Sequence, residues 1–152
     1  MEPVSQTPTE AVDYAVLSLT YGALLAGLAH SARGHDPIPR AELIPLGAAT
    51  FALSKLVVQE KVETWVRQPF VEERPDGKRP RGRRLRYAVG ELMNCTRCMG
   101  AWSALGIVGL RVGAPHAGRV ATGVLATAAA NDLLQVGFRL VCEAANELDR
   151  RR

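Results

Sequence analysis

Residues Tyr14–Ala32 read YAVLSLTYGALLAGLAHSA, nineteen positions without a charged side chain. A helix needs about 20 mostly apolar residues to cross a bilayer, within a range of about 17–25. Ala, Leu and Gly dominate the stretch and period-2 alternation is absent, so it reads as a helix. The competing reading is a buried Ala-rich helix of a soluble four-helix protein. Such a helix carries a polar stripe at about 3.6-residue spacing. Here the stripe would be Ser18, Thr20, Tyr21, His30 and Ser31, too thin for a water-facing side. The preceding flank, MEPVSQTPTEAVD, is acidic and no convincing small-residue cleavage site follows. A removed signal peptide is therefore not expected.

Three further stretches resemble the first. Leu43–Gln59 is interrupted only by Lys55, and Val120–Phe138 only by Asp132. Cys98–Leu110 is short, but extends past Arg111 because arginine can snorkel towards headgroups. These runs predict an all-α integral membrane four-helix bundle with a basic cytoplasmic loop and a short interfacial helix. The spans are placed at about 14–32, 43–59, 98–114 and 120–141, joined by a loop over 60–97. Residues 1–12 form a polar tail, 13–145 a single membrane domain and 146–152 a basic tail.

The charges are unevenly distributed. The 152 residues carry 19 Lys plus Arg against 15 Asp plus Glu, and ten of the 19 lie between Lys61 and Arg97. An apolar share of 47% disfavours a disordered chain, and three cysteines disfavour a disulfide scaffold. No glycine-rich phosphate loop is present, which disfavours a nucleotide-binding α/β enzyme. Basic loops stay in the cytoplasm, so the Lys61–Gly90 loop and Arg150–Arg152 belong inside, and the N-terminus with them. The loops at Arg33–Arg40 and Arg111–Arg119 then lie outside. Trp65 and Trp102 fall near the inner interface as anchors. Small residues four apart, such as Ala23 and Gly27 or Gly100 and Ala104, suit close helix packing within one chain or between copies.

Lys61–Phe70 (KVETWVRQPF) places Val62, Trp65 and Val66 at helical spacing and ends at Pro69, a short interfacial segment. Glu72–Arg86 (EERPDGKRPRGRRLR) has no hydrophobic periodicity and reads as a loop. Its basic residues suit anionic lipid headgroups or a purely topological role. Nucleic acid is disfavoured because no aromatics are interleaved to stack on bases.

Cys95 and Cys98 form a C-x-x-C at the start of the third span, and Cys142 lies at the inner end of the fourth. As metal ligands they suggest zinc, which takes about four ligands. His30, His35 and His116 sit at the outer end, so a full set would need Cys95 and Cys98 from two chains. The pair also fits thiol redox chemistry, since a helix N-terminus and Arg97 favour the thiolate. The third reading is packing of two small residues. Lys55 and Asp132 are lone charges in apolar helices, where a charge costs about 2.5–3.5 kcal/mol, so they are expected to pair. They serve either to fix helix register or to form an ion or proton site. Arg67 is expected to pair with Glu91 beside Cys95 and Cys98, all around one small polar pocket at the inner edge.

Taken in order, Ser54–Lys61, then Trp65-Val66-Arg67-Gln68-Pro69-Phe70, then Gly90-Glu91-Leu92 and Cys95-Thr96-Arg97-Cys98-Met99-Gly100-Ala101-Trp102 resemble the small bacterial membrane proteins grouped as domain of unknown function 1360. The resemblance covers about Phe51–Val141. Lys55 stands where that family usually has Arg, and Thr96 where Pro is common. The resemblance implies a multi-pass protein of the bacterial inner membrane and carries no activity. The sequence reading is therefore a non-enzymatic scaffold or accessory subunit, with no catalytic or cofactor-binding residue. A metal-binding or thiol-redox protein, and a small transporter subunit using Lys55 and Asp132, are the alternatives. Expected partners are the lipid bilayer with its anionic headgroups and a second copy or another membrane protein.

Overall fold

The computed structural model describes residues 6–151; residues 1–5 of the polar tail and residue 152 lie outside the described residues. Helix α1 runs Ala11–Ser31 and continues through a 3-10 turn at Ala32–Gly34. Its first turn is closed by the Asp13 carboxylate, which accepts from the Glu10 N–H at 2.8 Å. Helix α2 (Arg40–Gln59) is followed by a 3-10 turn, Lys61–Glu63, and a single helical turn α3 (Thr64–Arg67). Strands β1 (Val71–Arg74) and β2 (Gly77–Pro80) pair antiparallel, with Val71 opposite Pro80 and Arg74 opposite Gly77. Helices α4 (Leu85–Asn94), α5 (Thr96–Gly113) and α6 (Pro115–Arg150) complete the chain.

Helix α2 is central and packs against α5 and α6. The core is Leu46, Ala49 and Ile107, bordered by Ile38, Leu53 and Leu125. Fully buried Ala49 lets the backbones approach. The α5–α6 corner is tighter still: a Cβ at Gly118 would stand 2.4 Å from Arg111 Cα. Only glycine fits there. By contrast α1 packs lightly, touching α4 and α5, and its apolar residues face outward, Leu19 at 73% exposure.

The chain is mostly helical. Three helices among the described residues are long and apolar enough to cross a membrane: α1 with its 3-10 turn, α2 and α6. The expected third span, α5, is not in that set, because Arg97 and Arg111 lie near its two ends. Two other expectations are corrected. The stretch read as an irregular loop holds a hairpin and a ten-residue helix. The stretch read as a C-terminal tail is helical through Arg150, extended by the Glu147–Arg151 pair at 2.9 Å.

The hairpin and α3 form a cap over one end of the bundle. A Cβ on Gly90 of α4 would come within 2.5 Å of Phe70 O and 2.9 Å of Pro80 Cβ, so the cap sits directly on α4. The chain before α1 is tied to the same end. The Arg84 N–H donates to Pro8 O at 2.8 Å, and its guanidinium pairs with Glu10 and, at 3.3 Å, with Asp13.

Candidate functional site

The last turn of α2 leaves carbonyls without intrahelical partners, as every helix C-terminus does. Arg67 satisfies them. Only 1% exposed, it donates from Nη1 to Val57 O at 2.7 Å and to Glu60 O at 2.8 Å. From Nη2 it reaches Glu73 Oε1 at 2.7 Å and Thr64 Oγ1 at 3.3 Å. Lys78 Nζ adds a bond to Val58 O at 2.5 Å. The Arg67 hydrogen bond holds the Glu73 carboxyl below the usual carboxylate range. Burial, and then the Arg67 charge, push the Lys78 ammonium down. The expected Arg67–Glu91 pair does not form. Helix α2 offers orphan carbonyls and β1 brings Glu73, while Glu91 accepts a hydrogen bond from the Tyr14 hydroxyl instead.

Cys95 is the N-cap of α5, in extended conformation (φ −107°, ψ 105°), and its Sγ accepts from the Cys98 N–H at 3.3 Å. All three cysteines are free. Burial pushes the Cys95 thiol up, but the hydrogen bonds from the Cys98 thiol and from the backbone of Cys98 and Arg97 outweigh it. The net direction is below an ordinary cysteine.

The two thiols do not share one pocket. Cys98 lines a cavity of about 370 Å³ with Tyr14, Tyr21, Glu91 and Trp102, between α1, α4 and α5. There Tyr21 and Trp102 meet edge to face at 5.4 Å. Cys95 lines a second cavity, about 580 Å³, with Lys78, Arg79, Tyr87, Glu91 and Asn94 beneath the hairpin. The expectation of a common pocket assumed that the helix had begun by Cys95. Because Cys95 precedes it, the three-residue spacing does not align the side chains. Glu91 borders both cavities, whereas Arg67 borders neither. Cys142, on α6, lines neither cavity, and no cluster of three or more His, Cys, Asp or Glu suited to a metal ion occurs among the described residues.

Lys55 Nζ donates to Asp132 Oδ2 at 2.7 Å and lies 3.7 Å from Glu60 Oε1, joining α2 to α6. At the opposite end of α2, Arg111 makes a two-pronged contact with Glu42, at 2.6 and 3.0 Å. Sequence reasoning missed this pair, although the signal was present: Glu42 opens one apolar run and Arg111 closes another at the same end. Trp65 is 72% exposed on the cap, whereas Trp102 turns inward to the Cys98 cavity.

No curated protein and no solved structure matches the chain. The family model described as protein of unknown function (DUF1360) matches residues 45–138, from within α2, through the cap and the cysteine pair, into α6. Helix α1 lies outside the matched region. With more than half of its residues matched, including every element of the cap, the chain belongs to the DUF1360 family, whose function is unknown.

Proposed function

We propose that this protein is a four-helix integral protein of the bacterial inner membrane and a non-enzymatic accessory module. In this reading the cap and both chain ends lie in the cytoplasm, and the cap rests on anionic lipid headgroups. The observation that carries the reading is the placement of surface types. Leu19, Ile44, Leu134 and Phe138 are 70–82% exposed. Each would cost about 1.5–3 kcal/mol in water relative to burial. Lipid removes that cost. Arg79, Arg81, Arg83 and Lys61 gather instead on the cap, where juxtamembrane cations each add about 1 kcal/mol of attraction to an anionic leaflet. Helix α5 serves as the fourth span: its 18 residues reach about 27 Å, near the thickness of the hydrocarbon core. Its Arg111 is neutralised by Glu42.

A transporter reading draws less support, because the Lys55 ammonium is already engaged by both Asp132 and Glu60 and, among the described residues, no chain of further acids leads from it. A zinc reading requires Cys95 and Cys98 from two copies.

The test is topology combined with lipid response. In a background without native cysteines, an impermeant thiol reagent on intact cells labels a cysteine placed at His116 and spares one placed at Arg81. The purified protein gains thermal stability in nanodiscs containing phosphatidylglycerol over those of phosphatidylcholine alone, and Arg79, Arg81 and Arg83 changed together to Gln abolish the gain. Labelling at Arg81 overturns the orientation. An equal melting temperature in both lipids overturns the headgroup contact.

A further inference from the structure

Helix α6 outruns the bundle. It lies parallel to α2: Glu42 and Arg119 border one cavity at one end, and Lys55 meets Asp132 at 2.7 Å towards the other. The end of α2 at Gln59 therefore stands level with Val136, and residues 137–150 continue past it for about 21 Å. A helical stretch of that length gains little stability from its own backbone in water; the packing of an amphipathic face supplies it. Along the outward side of α6, Val120, Thr127, Leu134, Val141 and Leu148 recur every seven residues, and Gly123, Ala130, Gly137 and Ala144 do so between them. All nine are exposed, Leu134 at 73%, Val141 at 68% and Leu148 at 65%. The side turned to α2 and α5 is the other one, with Gly118, Thr122 and Ala129 buried and Asp132 paired. In the projecting part that inner side carries Arg139, Glu143 and Arg150, pointing away from the apolar row. The glycines differ in the same way. Gly118 is required by the approach of Arg111, whereas a Cβ at Gly123 or Gly137 would meet nothing within 4 Å. Glycine inside a helix is unfavourable relative to alanine, and nothing within the chain calls for it at those two positions.

We infer that the outward side of α6 is the contact between two copies of this chain, packed as a parallel two-helix seam. From Val120 to Leu148 the steps between seam residues alternate three and four without a break. That period keeps one face of a helix against another as the two supercoil. Copies inserted in one membrane share an orientation, so the two-fold axis runs along the helices and each seam residue meets its own counterpart. Towards the start of α6, Gly123 and Ala130 let the backbones close, which is how helices associate where lipid removes the hydrophobic drive. The Thr127 hydroxyl donates to Gly123 O at 2.8 Å, so it asks nothing of a partner. In the projecting part, Val141 and Leu148 leave water together. No charge stands at any of the nine positions, so like copies meet without repulsion. The nine and the eight residues flanking them make seventeen per copy. At the about 800 Å² that 20–30 residues bury per side, they give about 900–1,400 Å² in total, against the about 1,000 Å² that a specific interface clears. Association exchanges lipid for the second copy at Leu134, and water for it at Val141 and Leu148. The common orientation of the copies rests on the membrane reading above.

The test uses the full chain in its membrane, in a background without native cysteines. Under a copper oxidant, Val141→Cys and Ala144→Cys give a disulfide-linked dimer. Arg139→Cys and Glu143→Cys do not, because a disulfide needs Cα atoms within about 7 Å of each other. The purified wild type sediments with the mass of two chains. Gly137→Leu sediments as one chain and keeps the wild-type helical signal, since a leucine fits the open space beside Gly137 in one copy but holds two copies apart. Gly137→Ala, as small as its seam neighbours Ala130 and Ala144, stays a dimer. If Gly137→Leu does not fold, Val141→Lys and Glu143→Lys decide, the first giving one chain and the second two. A wild type of one chain, a Gly137→Leu protein that remains a dimer, or crosslinking at Glu143 as complete as at Val141 overturns the inference. Crosslinks from Val141 to a different protein alone overturn it in favour of that partner. The His116 and Arg81 labelling reads orientation whatever the number of copies, so failure of the seam and failure of the membrane reading are told apart.

Discussion

Between Lys61 and Asn94 the groups that hold the chain are charged and end on backbone carbonyls: Arg67 on Val57 and Glu60, Lys78 on Val58, Arg86 on Pro69. Between α2, α5 and α6 they are small and apolar, Ala49 and Ile107 above all, with one ion pair towards each end. The cap finds its partners within the chain, largely at the end of α2, so its polar groups are satisfied without lipid. The helices expose leucines and phenylalanines, an apolar surface with no cover inside the chain. Arg67 and Trp65 show the same division within one helical turn, one 1% and the other 72% exposed.

Replacing Arg67 should break the cap most completely. Arg67→Met leaves the carbonyls of Val57 and Glu60 and the Glu73 carboxylate without their donor, at a cost of about 3–5 kcal/mol, the range for breaking a buried ion pair from one side. Arg67→Lys rescues little, because an ammonium cannot fork to three acceptors in a plane. Thermal unfolding in detergent reads the loss. The same substitution should leave α1 and α6 helical by circular dichroism if the two regions are independent.

Next in size is the pair on the helix side. Asp132→Asn should lower the melting temperature more than Lys55→Met together with Asp132→Leu, because the single change leaves the ammonium with only the more distant Glu60 carboxylate, at 3.7 Å. A double variant that melts lower than the single one gives the pair a role other than packing.

Acid should separate the regions without mutation. Glu73 and Glu72 are held below their ordinary pKa by Arg67 and Arg74 respectively. Their contribution is complete above the unfolded carboxylate pKa and is lost as pH falls through the lower folded value. Hydrogen exchange in β1 and at the end of α2 should therefore quicken in mild acid while exchange in the middle of α6 holds steady. Uniform quickening would mean that cap and helices open together.

The smallest effect is expected at Trp65. Trp65→Ala should shift stability in detergent by no more than about 0.5 kcal/mol, as exposed positions do. Its effect should appear in lipid, as weaker retention of the purified protein on phosphatidylglycerol vesicles. An unchanged retention removes Trp65 as an anchor.

The helices were legible because a run free of charge is a strong signal: Tyr14–Ala32 is helical throughout apart from its last residue, which opens the 3-10 turn. The hairpin was harder to read because its strands, VEER and GKRP, hold no apolar alternation and, Val71 apart, bury none of their residues fully. One signal was overlooked, Arg74-Pro75-Asp76-Gly77-Lys78, a turn composition in which Pro fixes φ and Gly accepts a positive one, observed here at +133°. A second lay in Leu85, Ala88, Val89 and Leu92, spaced as one face of a helix but hidden among arginines. At the site, the residue types Arg67, Glu91, Cys95 and Cys98 were legible and their partners were not. Which carbonyl an arginine reaches depends on where α2 stops, and the split between the thiols depends on α5 beginning one residue after Cys95.

Arg84 has a consequence for how the chain is made. It holds Pro8, Glu10 and Asp13 at the start of α1. A ribosome adds about 5–20 residues per second, so the partner of Asp13 is synthesised several seconds after it. During that interval α1 is complete but the arginine that holds its start has not been made. Formation of α1 and its docking are separate events in time, and the arginine that joins them follows α2 and the hairpin in the chain.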